Sequence, residues 1–275
     1  MAKTKKKDPA PPRPGPPLVE LGLGAAWLLG LSAVLAIVEV LLGKSMVGVA
    51  IAGAVIVDLA AGYAGARWDL GAPLLPAAAA RRVPAGLGLA LIVAAAGIAV
   101  SLAAGWARAS LGHPSVTLFL ALLRAAGTGI RDEMLYRGIP LHACERAGVR
   151  AQHARIFAAL AGAAPLVLAP GTSIAAILLT ACLGFLFATL WQRDRSGYSA
   201  AAAHGGYLLI VRSLAQGELF DLDWAAGSLS PGARAAGLPA FAMAIVTIGI
   251  ALFLVPRLRT FGPPEAAPAP VDEGA

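Results

Sequence analysis

The sequence predicts an all-α bundle of about eight transmembrane helices, and three observations carry that prediction. Of 275 residues, 58% are hydrophobic and only 13% are charged, too little charge to cover the surface of a soluble domain of this size. The mean hydropathy is +0.75. Apolar stretches of about 18 to 23 residues recur along the chain, and about 20 residues cross a bilayer as a helix. These stretches are rich in Ala, Leu, Val, Gly and Ile, which suits helices packed backbone to backbone in lipid.

Taken in order, residues 1–19 form a basic, Pro-rich tail expected to be disordered, with Lys3, Lys5, Lys6 and Lys7 beside the first span. Such a cluster reads as a topology signal. It does not read as a cleaved leader, because the apolar run starts late and exceeds the 7–15 residues of a leader core. The transmembrane bundle is expected over 20–256, with spans near 20–43, 46–66, 85–107, 115–137, 154–169, 173–191, 198–215 and 237–256. Residues 68–84, with Trp68, Pro73, Pro76 and the Arg81–Arg82 pair, read as an interfacial loop. Residues 216–236, with Glu218, Asp221, Asp223 and Trp224, read as an exposed acidic loop anchored by an aromatic ring. The closing 257–275 read as a second disordered tail.

Orientation follows from where the basic residues fall. With the N-terminus inside, inward loops and span ends hold about 17 of the 22 Lys and Arg residues, and the outward side about four: Lys44, Arg108, Arg212 and Arg234. A span more or fewer would scramble that asymmetry. The expectation is a multi-pass protein of the inner (plasma) membrane with both termini in the cytoplasm. The net charge of +7 is accounted for by this distribution, so nucleic acid is not an expected partner. Cys144 falls in an inward segment and Cys182 in a span, which argues against a disulfide.

An ionisable group at membrane depth costs a few kcal/mol or more, so each needs a reason. The densest cluster closes the fourth span: Arg131, Asp132, Glu133, Met134, Leu135, Tyr136, Arg137 and Gly138. Glu133 and Arg137 stand four apart on one helix face, with the acid toward the N-terminus. Asp132 points elsewhere, so one acid can face a cavity while the other pairs with Arg137. His204 stands alone among Ala200–Ala203 and Gly205–Gly206, small residues that let a neighbouring helix approach. A desolvated carboxylate can act as a general base, and an imidazole can donate to a developing oxyanion. Together they can hydrolyse a peptide bond without a metal or other cofactor. The plainer account is a structural ion pair at a span end.

These residues resemble the CPBP family of intramembrane proteases, the CAAX protease and bacteriocin-processing (Abi) group. The family's first motif is two adjacent glutamates, three variable residues and an arginine. It matches Asp132-Glu133-Met134-Leu135-Tyr136-Arg137 here. The third motif, a histidine followed four residues later by Asn or Asp, matches at His204 but has Leu208 at the later position. The second motif, a Phe with a His four residues on, is broken: Phe157 is followed by Ala161, with Pro165 beyond. His153 lies too shallow to replace that histidine, since a helix rises 1.5 Å per residue.

The resemblance covers about 115–214. It implies catalytic roles for Asp132, Glu133, Arg137 and His204, and protein or peptide substrates in or near the membrane. The first acid, shortened to Asp132, and the two missing motif partners leave two expectations: a CPBP-type endopeptidase, or a degenerate relative that binds or scaffolds a membrane partner.

Other polar residues have plainer expectations. Asp58 and Arg124 are expected to pair inside the bundle, or failing that to line a substrate cavity; a third functional expectation is a small transporter using them with Glu133 as a relay. Glu39 is expected to reach water or Lys44. His113 belongs to an outer loop, and His142, Cys144 and Glu145 to a solvated inner one, their spacing matching no standard metal site.

Overall fold

The computed structural model describes residues 16–43, 45–70, 76–225, 227–229 and 235–257. Its elements are helices α1 (Pro17–Leu42), α2 (Met46–Tyr63), α3 (Pro76–Ala103), α4 (Thr117–Glu133), α5 (Ile139–Arg146), α6 (Ala151–Leu168), α7 (Ile174–Asp194), α8 (Tyr198–Leu209) and α9 (Gly237–Gly249). A two-stranded antiparallel ribbon joins β1 (Ala107–Leu111) to β2 (Phe220–Trp224). Three π-helical turns extend or join helices: Met134–Gly138 between α4 and α5, Ile210–Leu214 after α8, and Ile250–Leu254 after α9. Most of both expected tails lies outside the described residues, but Pro17–Val19 are already helical.

The protein is an all-α, multi-pass membrane protein. Six helices among the described residues are long and apolar enough to cross a bilayer: α1, α2, α3, α6, α7 and α9 with its extension. The remaining two expected spans, α4 and α8, are shorter, and α4 carries Arg124, Arg131, Asp132 and Glu133. The outer helices bury little. α1 buries only Gly24 and Leu31, while Leu18, Leu29, Ile37, Val40 and Leu41 stay exposed, as a lipid-facing helix requires.

The core gathers on α7. Leu179, Leu183, Leu186, Phe187, Leu190 and Trp191 are all buried there, packed between α6, α8 and α9. Small residues set the spacing elsewhere. A Cβ on Gly129 would lie 2.8 Å from the Ala201 carbonyl oxygen and the Gly205 nitrogen. Hence α4 and α8 touch backbone to backbone, running antiparallel, with Ala125 beside Gly205. No larger residue fits there.

Two segments differ from expectation. Arg81, Arg82 and Pro84 are not loop: they belong to the first turns of α3. Pro84 removes one backbone donor. Arg82 is buried at 2% exposure, a cost offset by its bonds to the turn between α7 and α8: Nη1 donates to the Asp194 carbonyl at 2.7 Å and to the Ser196 hydroxyl. The acidic stretch after residue 216 is not all loop either. Arg108 stands opposite Asp223 in the ribbon register, an opposite-charge pair that favours strand pairing. Glu218 then fastens the ribbon to α4. It accepts from the Ser115 backbone N–H at 2.8 Å, the Ser115 hydroxyl at 2.8 Å and the Thr117 hydroxyl at 2.5 Å.

Candidate active site at the foot of helices four and eight

The two adjacent acids of the first motif separate at the junction where α4 gives way to a π-turn. The Ile139 N–H bonds the Met134 carbonyl, five residues back, and such single π-turns recur at functional sites. Glu133 turns inward, at 0% exposure. Its Oε1 lies 3.3 Å from Nη1 of Arg137 and 2.9 Å from Nδ1 of His204, while Oε2 accepts from the Trp191 indole N–H at 3.1 Å. Three donors thus hold one buried carboxylate, which satisfies the requirement on any buried charge.

Asp132 turns the other way, toward a cavity of about 190 Å³ lined also by Arg137, His204, Thr128 and Thr180. Its Oδ1 is held by Nε of Arg131 at 2.7 Å. His204 is 13% exposed and stacks on Phe187, with centroids 4.9 Å apart and planes 20° apart. With Nδ1 engaged by Glu133, the ring's Nε2 is the atom available to the cavity. The four expected site residues therefore meet.

The seat of Arg137 explains two glycines. Its guanidinium lies 5.7 Å from the Phe187 ring centroid, between α6 and α7. A Cβ on Gly162 would stand 3.0 Å from Arg137 Nη2, and one on Gly184 would stand 2.8 Å from it. The Gly-Phe-Leu-Phe stretch of α7 thus supplies both a space for the guanidinium and a ring that faces it and His204.

Motif departures fall on the cavity wall itself. Leu208 and Pro165 both line it, where the family pattern has Asn or Asp and leads one to seek a histidine. Besides Asp132, Tyr136, Arg137 and His204, the polar groups on that wall are Thr128, Thr180 and Arg212. Thr180 Oγ1 is buried and makes no hydrogen bond among the described residues. Arg212, expected on the outward side, reaches the same cavity from the π-turn after α8.

Sequence reasoning missed Trp191 as a member of the site. A usable signal existed, since a buried indole N–H needs an acceptor. Trp191 also stacks on Trp68 at 5.8 Å, and Trp68 in turn on Tyr198 at 5.7 Å. The Leu70 N–H donates to the Arg195 carbonyl and the Gly197 N–H to the Trp68 carbonyl, each at 2.8 Å. These ties hold the entry to α8, and with it His204, in register.

Other expectations are corrected. Asp58 does not pair with Arg124: its Oδ1 accepts the Trp68 indole N–H at 2.7 Å, and no ion pair to either residue forms among the described residues. The pairing of Glu39 with Lys44 lies outside the described residues. His142 and Cys144 are not solvated loop; both are buried on α5. His142 Nε2 accepts the Arg67 backbone N–H at 3.2 Å and Nδ1 faces the Gly138 carbonyl at 2.8 Å. Burial pulls its pKa below the usual imidazole range and pushes the Cys144 thiol up to about 11. Glu145 is paired with Arg195 at 2.6 Å.

These features define a polytopic membrane protein whose helices enclose an acid, an imidazole and a guanidinium beside a small polar cavity. Residues 114–210 match the family model described as type II CAAX prenyl endopeptidase Rce1-like. Over that segment, about a third of the chain, the protein is similar to Rce1-like endopeptidases. The match starts just before α4 and ends with α8, close to the 115–214 read from the motifs. No curated protein and no solved structure matches the chain.

Proposed function

We propose that this protein is a CPBP-type intramembrane endopeptidase that cleaves a membrane-associated protein or peptide near the cytoplasmic face of the plasma membrane. The observation that carries the reading is the contact between Glu133 and His204, with Asp132 on the wall of the same cavity. In this reading Asp132 takes a proton from water, and the water oxygen attacks the scissile carbonyl carbon. The protonated ring of His204, its Nδ1–H directed at Glu133, donates from Nε2 to the developing oxyanion. Collapse breaks the carbon–nitrogen bond, and Asp132 returns the proton to the leaving amine. Arg137 balances the charge of Glu133 and keeps it available to the imidazole.

A second reading, a non-catalytic relative that binds or positions a membrane partner, is favoured by Leu208 and Pro165 on the cavity wall and by the bond from Arg131 to Asp132. One experiment separates the two. Full-length protein in proteoliposomes is mixed with membrane-anchored peptides, including prenylated C-termini, and products are weighed by mass spectrometry. The protease reading expects cleavage that falls by about a hundredfold or more in His204→Ala and Asp132→Asn, with both variants still folded. Absence of any product while the peptides are still bound would establish the second reading instead.

A further inference from the structure

A second cavity, larger than the first, lies on the opposite side of the α4–α8 contact. It holds about 620 Å³ between α2, α3, α4 and α8, a size suited to a small-molecule or lipid ligand. Its walls are almost wholly apolar, from Ala54 and Val55 through Leu87, Leu122 and Leu209. One end differs. There Asp58, Trp68 and Tyr198 come together, the Trp68 indole donating to Asp58 and stacking on Tyr198.

The groove has a direction. Tyr198 opens α8 and Leu209 closes it, eleven residues farther along, so roughly 16 Å of apolar wall runs from the polar end. That is the shape of a long hydrocarbon chain with a head at the Asp58 end. The head's charge is set by what the wall lacks. Asp58 is exposed to the groove, stands within a transmembrane helix and has no cationic partner among the described residues. A carboxylate in that setting draws a cation from outside the chain.

We propose that this groove is a binding site for a membrane lipid with a primary-amine head, the ammonium on the Asp58 carboxylate and one acyl chain along α4 and α8. The site is separate from the acid–imidazole cavity, and it stands whether or not that cavity is catalytic. Its position gives it a physical link to the other side, because Trp68 also stacks on Trp191, the donor to Glu133.

The test uses the full-length protein in detergent, titrated with phosphatidylethanolamine, phosphatidylglycerol or diacylglycerol of one chain length, with bound lipid counted by native mass spectrometry. The expected result is retention of phosphatidylethanolamine about tenfold or more above the other two, the scale of one charge-assisted hydrogen bond. Asp58→Asn should erase that preference while still accepting the Trp68 indole N–H. Ala126→Phe, which fills the groove wall, should remove bound lipid with Asp58 untouched. Equal retention of the three lipids, an unchanged preference in Asp58→Asn, or unchanged binding in Ala126→Phe overturns the proposal. Should Asp58→Asn fail to fold, the Ala126→Phe arm and the lipid comparison decide.

Discussion

Nδ1 of His204 stands 2.9 Å from Oε1 of Glu133, across the α4–α8 contact and 71 residues apart in sequence. The same oxygen lies 3.3 Å from Arg137, so one wholly buried carboxylate orients an imidazole and neutralises a guanidinium. Removing it should expose both debts at once. Glu133→Ala leaves Arg137 as an uncompensated buried charge, and breaking such a pair costs about 3–5 kcal/mol. Asp132→Asn, on the cavity wall, should cost under about 1 kcal/mol, as partly exposed pairs do. Thermal unfolding in detergent checks the contrast; equal losses would show that the two acids share one structural role.

Trp191 should behave as a positioning residue. Trp191→Phe keeps an aromatic ring against Trp68 but withdraws the donor to Glu133 Oε2. The expected cost is about 1–3 kcal/mol, the range for a buried acceptor left short of a partner. Any activity should then fall through kcat with KM little changed, which steady-state kinetics would read.

The two glycines beside Arg137 make a graded pair. Gly184→Ala places a methyl group 2.8 Å from Nη2 and 3.1 Å from the Ala159 Cα, where backbone cannot yield. It should cost about 1–3 kcal/mol, the usual penalty of overpacking. Gly162→Ala meets the same Nη2 at 3.0 Å and should cost less. Chemical unfolding curves would rank them, and a reversed order would contradict the placement of Arg137.

Leu208→Asn restores the family's third-motif partner to the wall that His204 shares. Under the protease reading it should raise the cleavage rate by about tenfold or more, since an added oxyanion donor is worth that much. A rate unchanged or lowered, in a variant that still folds, would argue that Thr180 or Arg212 already fills the position.

His142 predicts a pH dependence. Burial lowers its pKa in the folded protein from the ordinary 6.5, so below that value the unfolded chain takes up a proton that the folded one resists. Stability is therefore full above about pH 6.5 and declines as pH falls below it. His142→Gln, which can still accept the Arg67 N–H, should flatten that decline between pH 7 and pH 5 in melting measurements. An equally steep decline would assign it to other groups.

The sequence by itself determined the membrane bundle, because lengths of apolar residue report directly on bilayer thickness. It also singled out Asp132, Glu133, Arg137 and His204, because charges at membrane depth are costly enough to stand out one by one. Spacing four apart even foretold the Glu133–Arg137 pair, since helical periodicity is local. What local periodicity cannot state is which distant helix faces which. Only the tertiary structure made Trp191 a donor to Glu133, gave Asp58 to Trp68 rather than Arg124, and buried Arg82 and His142. Those contacts depend on how helices and the turns between them pack, a property of the whole and not of the apolar pattern of any one segment.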